Sequence, residues 1–264
     1  MLKQANIKLI VSDMDGTLLN ENHVVSEQFF SLFKQLKTKN ILFVAASGRT
    51  HKSIIQKLNP IKNDIIVVSE NGAIAIRKEK LLVSTPILTH NFKNLVHLIS
   101  QLDNTFPVYC GRHQVYIKKS NEVFRSLLKE YYPEHVCVSD EAEIKEPIYK
   151  IALFHSESSE QFIYPHVKHL ENEFKVKVSA NHWVDISENL AHKGHAISYI
   201  QEKFDILPEE TMVFGDYKND IEMLQRAKYS YAMENAHPEV KAVANYLTLS
   251  HKEQGVEHIL SQLI

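Results

Sequence analysis

The chain is poor in the features that mark several protein classes. It has only two cysteines, Cys110 and Cys137, in 264 residues, too few and too unpatterned for a disulfide framework or a zinc site. No apolar run approaches the roughly 20 residues that cross a bilayer. The mixed stretch around Lys3 and Lys8 lacks the apolar segment of a secretory signal. Excess charge is missing too. Thirty basic against 32 acidic side chains leave a formal charge of −2, so no global field recruits nucleic acid or an anionic membrane. There is no low-complexity segment and no internal repeat. Glycine is scarce at seven residues, and the composition offers no physical reason for it. The expectation is a soluble, cytoplasmic protein whose oligomeric state is not readable.

What is present is a 44% hydrophobic chain, long enough for one large domain or two modest ones. Histidine is plentiful at 15 but scattered. His51, His90, His97, His113 and His166 share no ligand spacing, and His166 and His169, three apart on an expected helix, have no companion ligands. They read as solvated side chains.

The first third alternates strand and helix. Ile7–Val11, Ile41–Ala46 and Ile65–Val68 are short apolar runs that read as buried strands. Between the first two, Phe29, Leu32, Phe33 and Leu36 recur at helical spacing after Ser26, a plausible N-cap. A short helix ending near Asn59-Pro60 follows the second. Strands separated this way predict parallel pairing with right-handed crossovers. From about residue 74 the rhythm changes. Ala73–Ile76 and Leu81–Val83 predict a hairpin, and Asn91–Gln101 a helix. Phe106–Cys110 and Gln114–Ile117 then predict strands turning at Gly111, with another helix beyond them. A strand at Tyr149–Phe154, a helix near Tyr164–Phe174 and strands at Val176–Ala180 and Trp183–Ile186 complete an α+β region. After Lys193 the first pattern returns, with a strand at Thr211–Phe214, a helix through Ile221–Leu224 and a strand at Tyr229–Met233. The organisation is one α/β domain, residues 1–83 and 188–264, split by an inserted domain at 84–187.

Chemistry gathers at the strand ends. Asp13-Met14-Asp15-Gly16-Thr17 follows the first strand, and open α/β sheets bind ligands at the carboxyl ends of their strands. Two carboxylates held close repel unless a cation intervenes, and a hard, oxygen-seeking cation such as Mg²⁺ satisfies them while accepting a phosphate oxygen. Gly16 permits a tight turn and close backbone approach. Ser47 and Gly48 close the second strand and open a helix, where a hydroxyl and an amide can donate to phosphate oxygens; alone, Ser-Gly is a common turn. Lys193-Gly194 starts another helix, and a lysine there can neutralise a phosphoryl group. Gly215-Asp216-Tyr217-Lys218-Asn219-Asp220 places two more carboxylates after the strand Thr211–Phe214.

In this order the four segments resemble the motifs of the haloacid dehalogenase superfamily. Ser69-Glu70-Asn71-Gly72-Ala73, the place of the insertion, and Ala232-Met233-Glu234-Asn235-Ala236 further resemble the Cof-type phosphatases, among them bacterial sugar phosphatases. The resemblance implies a Rossmann-like parallel-sheet core with an inserted α+β cap of type C2. It implies Asp13 as nucleophile and Asp15 as general acid, then base. By the same likeness Met14, Ser47, Gly48, Lys193 and Asn219 hold phosphoryl oxygens. Mg²⁺ is held by Asp13, Asp216 and the backbone carbonyl of Asp15, with Asp220 supporting from behind. Tyr217, where a short polar residue is usual, and Glu234, where glycine is usual, depart from the pattern.

The expected activity is Mg²⁺-dependent hydrolysis of a small phosphomonoester through an aspartyl-phosphate. A sugar phosphate is the first choice, with pyridoxal phosphate or FMN behind it. Asn71, Arg112, His182 and Trp183 are the candidates for contacts with the leaving group, Trp183 with cap core as its competing role. A phosphomutase of the same superfamily is poorly separated by sequence. A phospho-receiver switch fits worse, because it needs about half this length and should keep its phosphate.

Overall fold

The first apolar run becomes the middle of a sheet. A computed structural model describes residues 5–119, 124, 128, 132 and 134–264. In chain order its strands are β1 Leu9–Asp13, β2 Leu42–Ala46, β3 Ile66–Ser69, β4 Ile74–Arg77 and β5 Lys80–Ser84. Then come β6 Phe106–Gly111, β7 Val115–Lys118, β8 Val136–Val138, β9 Ile148–Phe154, β10 Phe174–Ala180 and β11 Trp183–Glu188. The last three are β12 Thr211–Gly215, β13 Tyr229–Ala232 and β14 Tyr246–Leu247. The chain separates into two compact units, Met1–Ser84 with His192–Ile264, and Thr85–Ala191.

The first unit holds one eight-stranded sheet in the order β14-β13-β12-β1-β2-β3-β4-β5. The six strands from β14 to β3 run parallel, and β4 and β5 add an antiparallel hairpin. From β1 the chain winds outward through β2 and β3, then returns to β12 on the other side, so the order reverses between β1 and β12. Such a switch point opens a crevice at the strand carboxyl ends. Parallel strands covered on both faces read as continuous apolar runs, and Leu9, Ile10 and Val11 are fully buried. Helix Glu27–Thr38 covers the sheet with Phe29, Leu32, Phe33 and Leu36, and the Phe29 and Phe43 rings lie 5.1 Å apart. Ser26 caps that helix as expected, its Oγ accepting from the Phe29 N–H.

The second unit is a six-stranded sheet, β10-β11-β9-β6-β7-β8, antiparallel except where β7 meets β8. One face packs Tyr109, Ile151, Leu153 and Val184 with the helix Thr89–Ile99. The other packs Val108, Ala152, Phe154 and Trp183. The α/β class with a parallel core and an α+β insertion is therefore what the chain forms.

Two expectations change. The helix near Tyr164–Phe174 is two short turns, Ser159–Phe162 and Tyr164–Val167, followed by a tighter turn at Lys168–Asn172. Pro165 has no N–H to continue a helix from the preceding turn, and Phe174 is drawn into β10 opposite Glu188. The first strand ends at Asp13 rather than Val11, because pairing with β2 continues through Ser12 and Asp13 after the apolar run stops. The helix expected between Ile117 and Tyr149 lies mostly outside the described residues.

Candidate active site

β1 delivers Asp13 to the switch point. Directly after it the chain makes a wide turn in which the Leu19 N–H donates to the Met14 carbonyl at 2.8 Å. Met14 itself is fully buried, its side chain packed in the apolar core. Gly16 sits at φ +77°, in the left-handed region that costs other residues about 1–2 kcal/mol. A Cβ there would also collide with the Asp216 carboxylate. Thr17 Oγ1 donates to Asp216 Oδ1 at 3.1 Å, so the turn after β1 and the loop after β12 are locked together.

The centre of the site is Lys193, which is completely buried. Its Nζ lies 2.5 Å from Asp13 Oδ1 and 2.6 Å from Asp220 Oδ1. A lysine at the first position of a helix, here Lys193–Phe204, opposes the helix dipole; the two carboxylates outweigh that. Asp220 uses its other oxygen to accept the Asp216 and Tyr217 N–H groups, at 2.9 and 3.1 Å. It therefore shapes the loop that presents Asp216.

Asp13, Asp216 and Asp220 each offer a carboxylate oxygen within 4.8 Å of the others. Three carboxylates thus face one ammonium. Burial pushes the Asp13 carboxyl well above its ordinary value; Lys193 pulls it back, while Asp220 and Asp216 push further. Burial and the Asp220 charge raise Asp216 to about 6. Burial works against the Lys193 ammonium, but Asp13 and Asp220 more than compensate and hold it charged. The site is short of positive charge, and its donors are hard oxygens. That is the chemistry of a divalent cation such as Mg²⁺.

Asp15 lies apart from this cluster. Arg49 grips it from the end of β2, Nε to Oδ2 and Nη2 to Oδ1, both at 2.6 Å. His23 Nδ1 stands 3.6 Å from Oδ1. Desolvation raises the Asp15 carboxyl, but the Arg49 hydrogen bonds and charge outweigh it and hold the group below its ordinary value.

The expected phosphate loop is close by. Ser47 is buried, and its carbonyl accepts the Asn71 N–H at 3.0 Å. Gly48 leaves so little room that a Cβ there would sit 3.0 Å from Asn71 Oδ1. Asn219 Nδ2 donates to that same Oδ1 at 2.9 Å. Glu70, Asn71 and Gly72 take three successive positive φ angles, 49°, 57° and 104°. Such strain persists only where the surroundings impose it; here they include the Ser47 carbonyl and the Asn219 side chain.

The other leaving-group candidates belong to the second unit. Trp183 packs edge-on to Phe154 at 5.0 Å in the apolar cluster, so it is core rather than an open platform. His182 Nδ1 meets the His155 carbonyl at 3.0 Å and its Nε2 meets Asn181 Nδ2 at 3.2 Å, which occupies both ring nitrogens. Arg112 is half-buried at the hairpin tip, whose Gln114 N–H, His113 N–H and Tyr116 hydroxyl all donate to Glu146.

The order and spacing of these groups are shared well beyond this chain. The profile of the haloacid dehalogenase-like hydrolases matches residues 10–260. The chain belongs to that family. Its resemblance to the superfamily's Cof-type phosphatases thereby extends over both units. The hydrolase is 29% identical over 262 residues to 5-amino-6-(5-phospho-D-ribitylamino)uracil phosphatase YbjI of Escherichia coli strain K12, covering 98% of this chain and 97% of that protein. A crystal structure from Eubacterium rectale matches with a TM-score of 0.91 at 28% identity, over 98% of this chain and 99% of the other. The subclass IIB sugar phosphatase BT4131 matches with a TM-score of 0.79 at 25% identity, over 97% and 98%. With the family comes the enzyme class, a hydrolase whose full-length relatives are named phosphatases. Among the described residues no helix is long and apolar enough to cross a membrane.

Sequence reasoning gave no role to Arg49, Thr17, His23 or Asn235. Asn235 Nδ2 donates to the Gly16 carbonyl at 2.9 Å and so steadies the turn after β1. Arg49 had one local signal, its place directly after Ser47-Gly48.

Proposed function

We propose that this hydrolase cleaves small phosphomonoesters through an aspartyl-phosphate on Asp13. The observation that carries the reading is the buried Asp13 carboxylate at the switch point, held by Lys193 and faced by Asp216. In the first transfer Asp13 attacks phosphorus and Asp15 protonates the departing oxygen. In the second, water attacks the aspartyl-phosphate while Asp15 accepts its proton. Covalent catalysis by a carboxylate divides one difficult displacement into two. Met14 and Gly48 through their backbones, and Ser47, Lys193 and Asn219 through their side chains, bind the phosphoryl oxygens and orient them for in-line attack.

Asp13, Asp216 and the Asp15 carbonyl are the ligands we assign to Mg²⁺, with Asp220 behind them. When bound, that ion neutralises charge gathering on the phosphoryl oxygens. Lys193 supplies a fixed positive charge to the same oxygens.

For the substrate class we propose a phosphate ester of a polyhydroxylated carbon chain. Two full-length relatives support it: one is named for a sugar phosphate, the other for a phosphoribityl compound that carries a ring. The position of Asn71 beside Gly48 supports it as a contact to that chain, and Arg112 is the second contact we carry forward.

The test is release of inorganic phosphate from sugar phosphates, FMN, pyridoxal phosphate and nucleotides, with Mg²⁺ and with EDTA. Mg²⁺-dependent release led by sugar or ribityl phosphates supports the proposal. A lead by pyridoxal phosphate keeps the mechanism and replaces the substrate class. Transfer to a second sugar hydroxyl without net phosphate release marks a mutase instead.

A further inference from the structure

The guanidinium of Arg49 grips the Asp15 carboxyl from a backbone that is itself anchored after β2. The Arg49 backbone N–H donates to Ser47 Oγ at 3.1 Å, and its backbone carbonyl accepts the Glu70 N–H at 3.0 Å. Its Nη1 donates to Ser53 Oγ at 3.3 Å, on the helix His51–Lys57. Nε and Nη2 remain, and both go to Asp15. Asp15 by contrast presents a side chain that is partly open to solvent, 41% exposed. Its backbone is extended, at φ −80° and ψ 123°. The other neighbour, His23, comes from a loop whose own carbonyl accepts from Lys57 Nζ.

We propose that Arg49 is a positioning residue for proton transfer: its two parallel N–H bonds fix the Asp15 carboxyl in the plane and place from which it serves the leaving oxygen. The inference rests on Asp15 as acid and base, and adds to that reading the group that aims it. A fork of two bonds sets the orientation of a carboxylate as well as its charge, which a lysine's point charge does not. Proton transfer depends on such placement, because a donor out of hydrogen-bond reach does nothing in the transition state.

In the first transfer an Asp13 oxygen bonds to phosphorus as the ester P–O bond breaks. The leaving oxygen keeps the electron pair and takes the Asp15 proton, departing as an alcohol. Asp15 is left a carboxylate, the form that Arg49 grips. In the second transfer the water oxygen bonds to phosphorus, the Asp13–phosphorus bond breaks with its pair returning to Asp13, and the water proton passes to Asp15. Ester and water become alcohol and inorganic phosphate.

The experiment compares kcat/KM for two esters on each enzyme preparation, p-nitrophenyl phosphate and the best alkyl phosphate of the panel. Nitrophenolate departs without a proton, whereas an alkoxide needs one. Because kcat/KM reports the steps up to departure of the alcohol, it isolates the acid role. The ratio of the two values cancels any loss of folded protein. Arg49→Gln is expected to lower the alkyl value at least about tenfold more than the nitrophenyl value, within the range that general acid catalysis contributes. Arg49→Lys, milder in its effect on folding, should show the same bias. Asp15→Asn should show it too, and the double variant should add none, since the arginine acts through the carboxyl. Equal losses on both esters in Arg49→Gln and Arg49→Lys, with Asp15→Asn biased, would overturn the positioning role and leave the mechanism standing. An unbiased Asp15→Asn removes the acid role itself, and the inference with it.

Discussion

Gly16 and Asp216 lie against each other with no room for a Cβ between them, although one follows β1 and the other follows β12. The contact brings the turn carrying Asp15 to the loop carrying the expected metal ligand. Gly16→Ala forces a methyl into the carboxylate and sets alanine at φ +77°, at a backbone cost of about 1–2 kcal/mol. We expect a lower Tm and loss of most of the phosphatase activity. The rise in Tm caused by added Mg²⁺, a ligand binding the folded state, should shrink. An unchanged Mg²⁺ response would mean that this contact does not organise the metal site.

The charge imbalance at the site gives a pH prediction for the metal-free protein. The folded value of Asp216, about 6, lies above its ordinary 3.8. The folded state therefore holds that proton more tightly than the unfolded chain does, and the contribution of Asp216 to stability falls as pH rises through this window. In EDTA, Asp216→Asn should gain stability relative to the unsubstituted protein between pH 3.8 and about 6, while losing activity in Mg²⁺. Thermal melts across that range check it. A variant that loses ground as pH rises contradicts the repulsion between Asp216 and Asp220.

Lys193 is flanked by two carboxylates and has no exposed surface. Lys193→Met would leave both acids without their shared cation, and breaking a buried ion pair from one side costs about 3–5 kcal/mol. Urea unfolding in EDTA should show a loss of that order, together with loss of phosphate release. A stable Lys193→Met would mean that solvent reaches these carboxylates.

Trp183 is the single tryptophan of the chain and sits in the apolar cluster of the second unit. Trp183→Ala should cost that unit about 3–5 kcal/mol, as removal of a large buried ring does. Trp183→Phe, which keeps an aromatic ring in the cluster, should leave KM for sugar phosphates unchanged. A large rise in KM for Trp183→Phe would return the residue to the substrate.

The sequence carried the core of this site because its chemistry is local to strand ends. A strand running into Asp-Met-Asp-Gly-Thr, or into Gly-Asp, shows its carboxylates without any knowledge of the partner strand. The role of Arg49 was hidden because it exists only once β2 lies beside β1 and brings Arg49 to Asp15. Asn235 was hidden for the same reason, reaching Gly16 from beyond β13. Trp183 and His182 misdirect for the opposite cause. An indole and an imidazole look equally available in a sequence, and only packing shows that one is buried and the other tied to its own turn. The broken helix around Pro165 was legible in principle, since proline interrupts the donor ladder. Helices Pro238–Val243 and Gly255–Leu263 lie beyond Tyr229–Met233, the last run read as a strand from the sequence.

The proposed mechanism turns on the covalent intermediate on Asp13. Asp15→Asn, which lacks the base for the second transfer, should be mixed with Mg²⁺ and p-nitrophenyl phosphate, whose leaving group needs no acid, then quenched in acid and analysed by peptide mass spectrometry. One phosphoryl group is expected on the peptide containing Asp13, and none when Asp13→Asn is added to the same variant. Appreciable turnover in Asp13→Asn alone, or a phosphoryl group on another side chain, would contradict it.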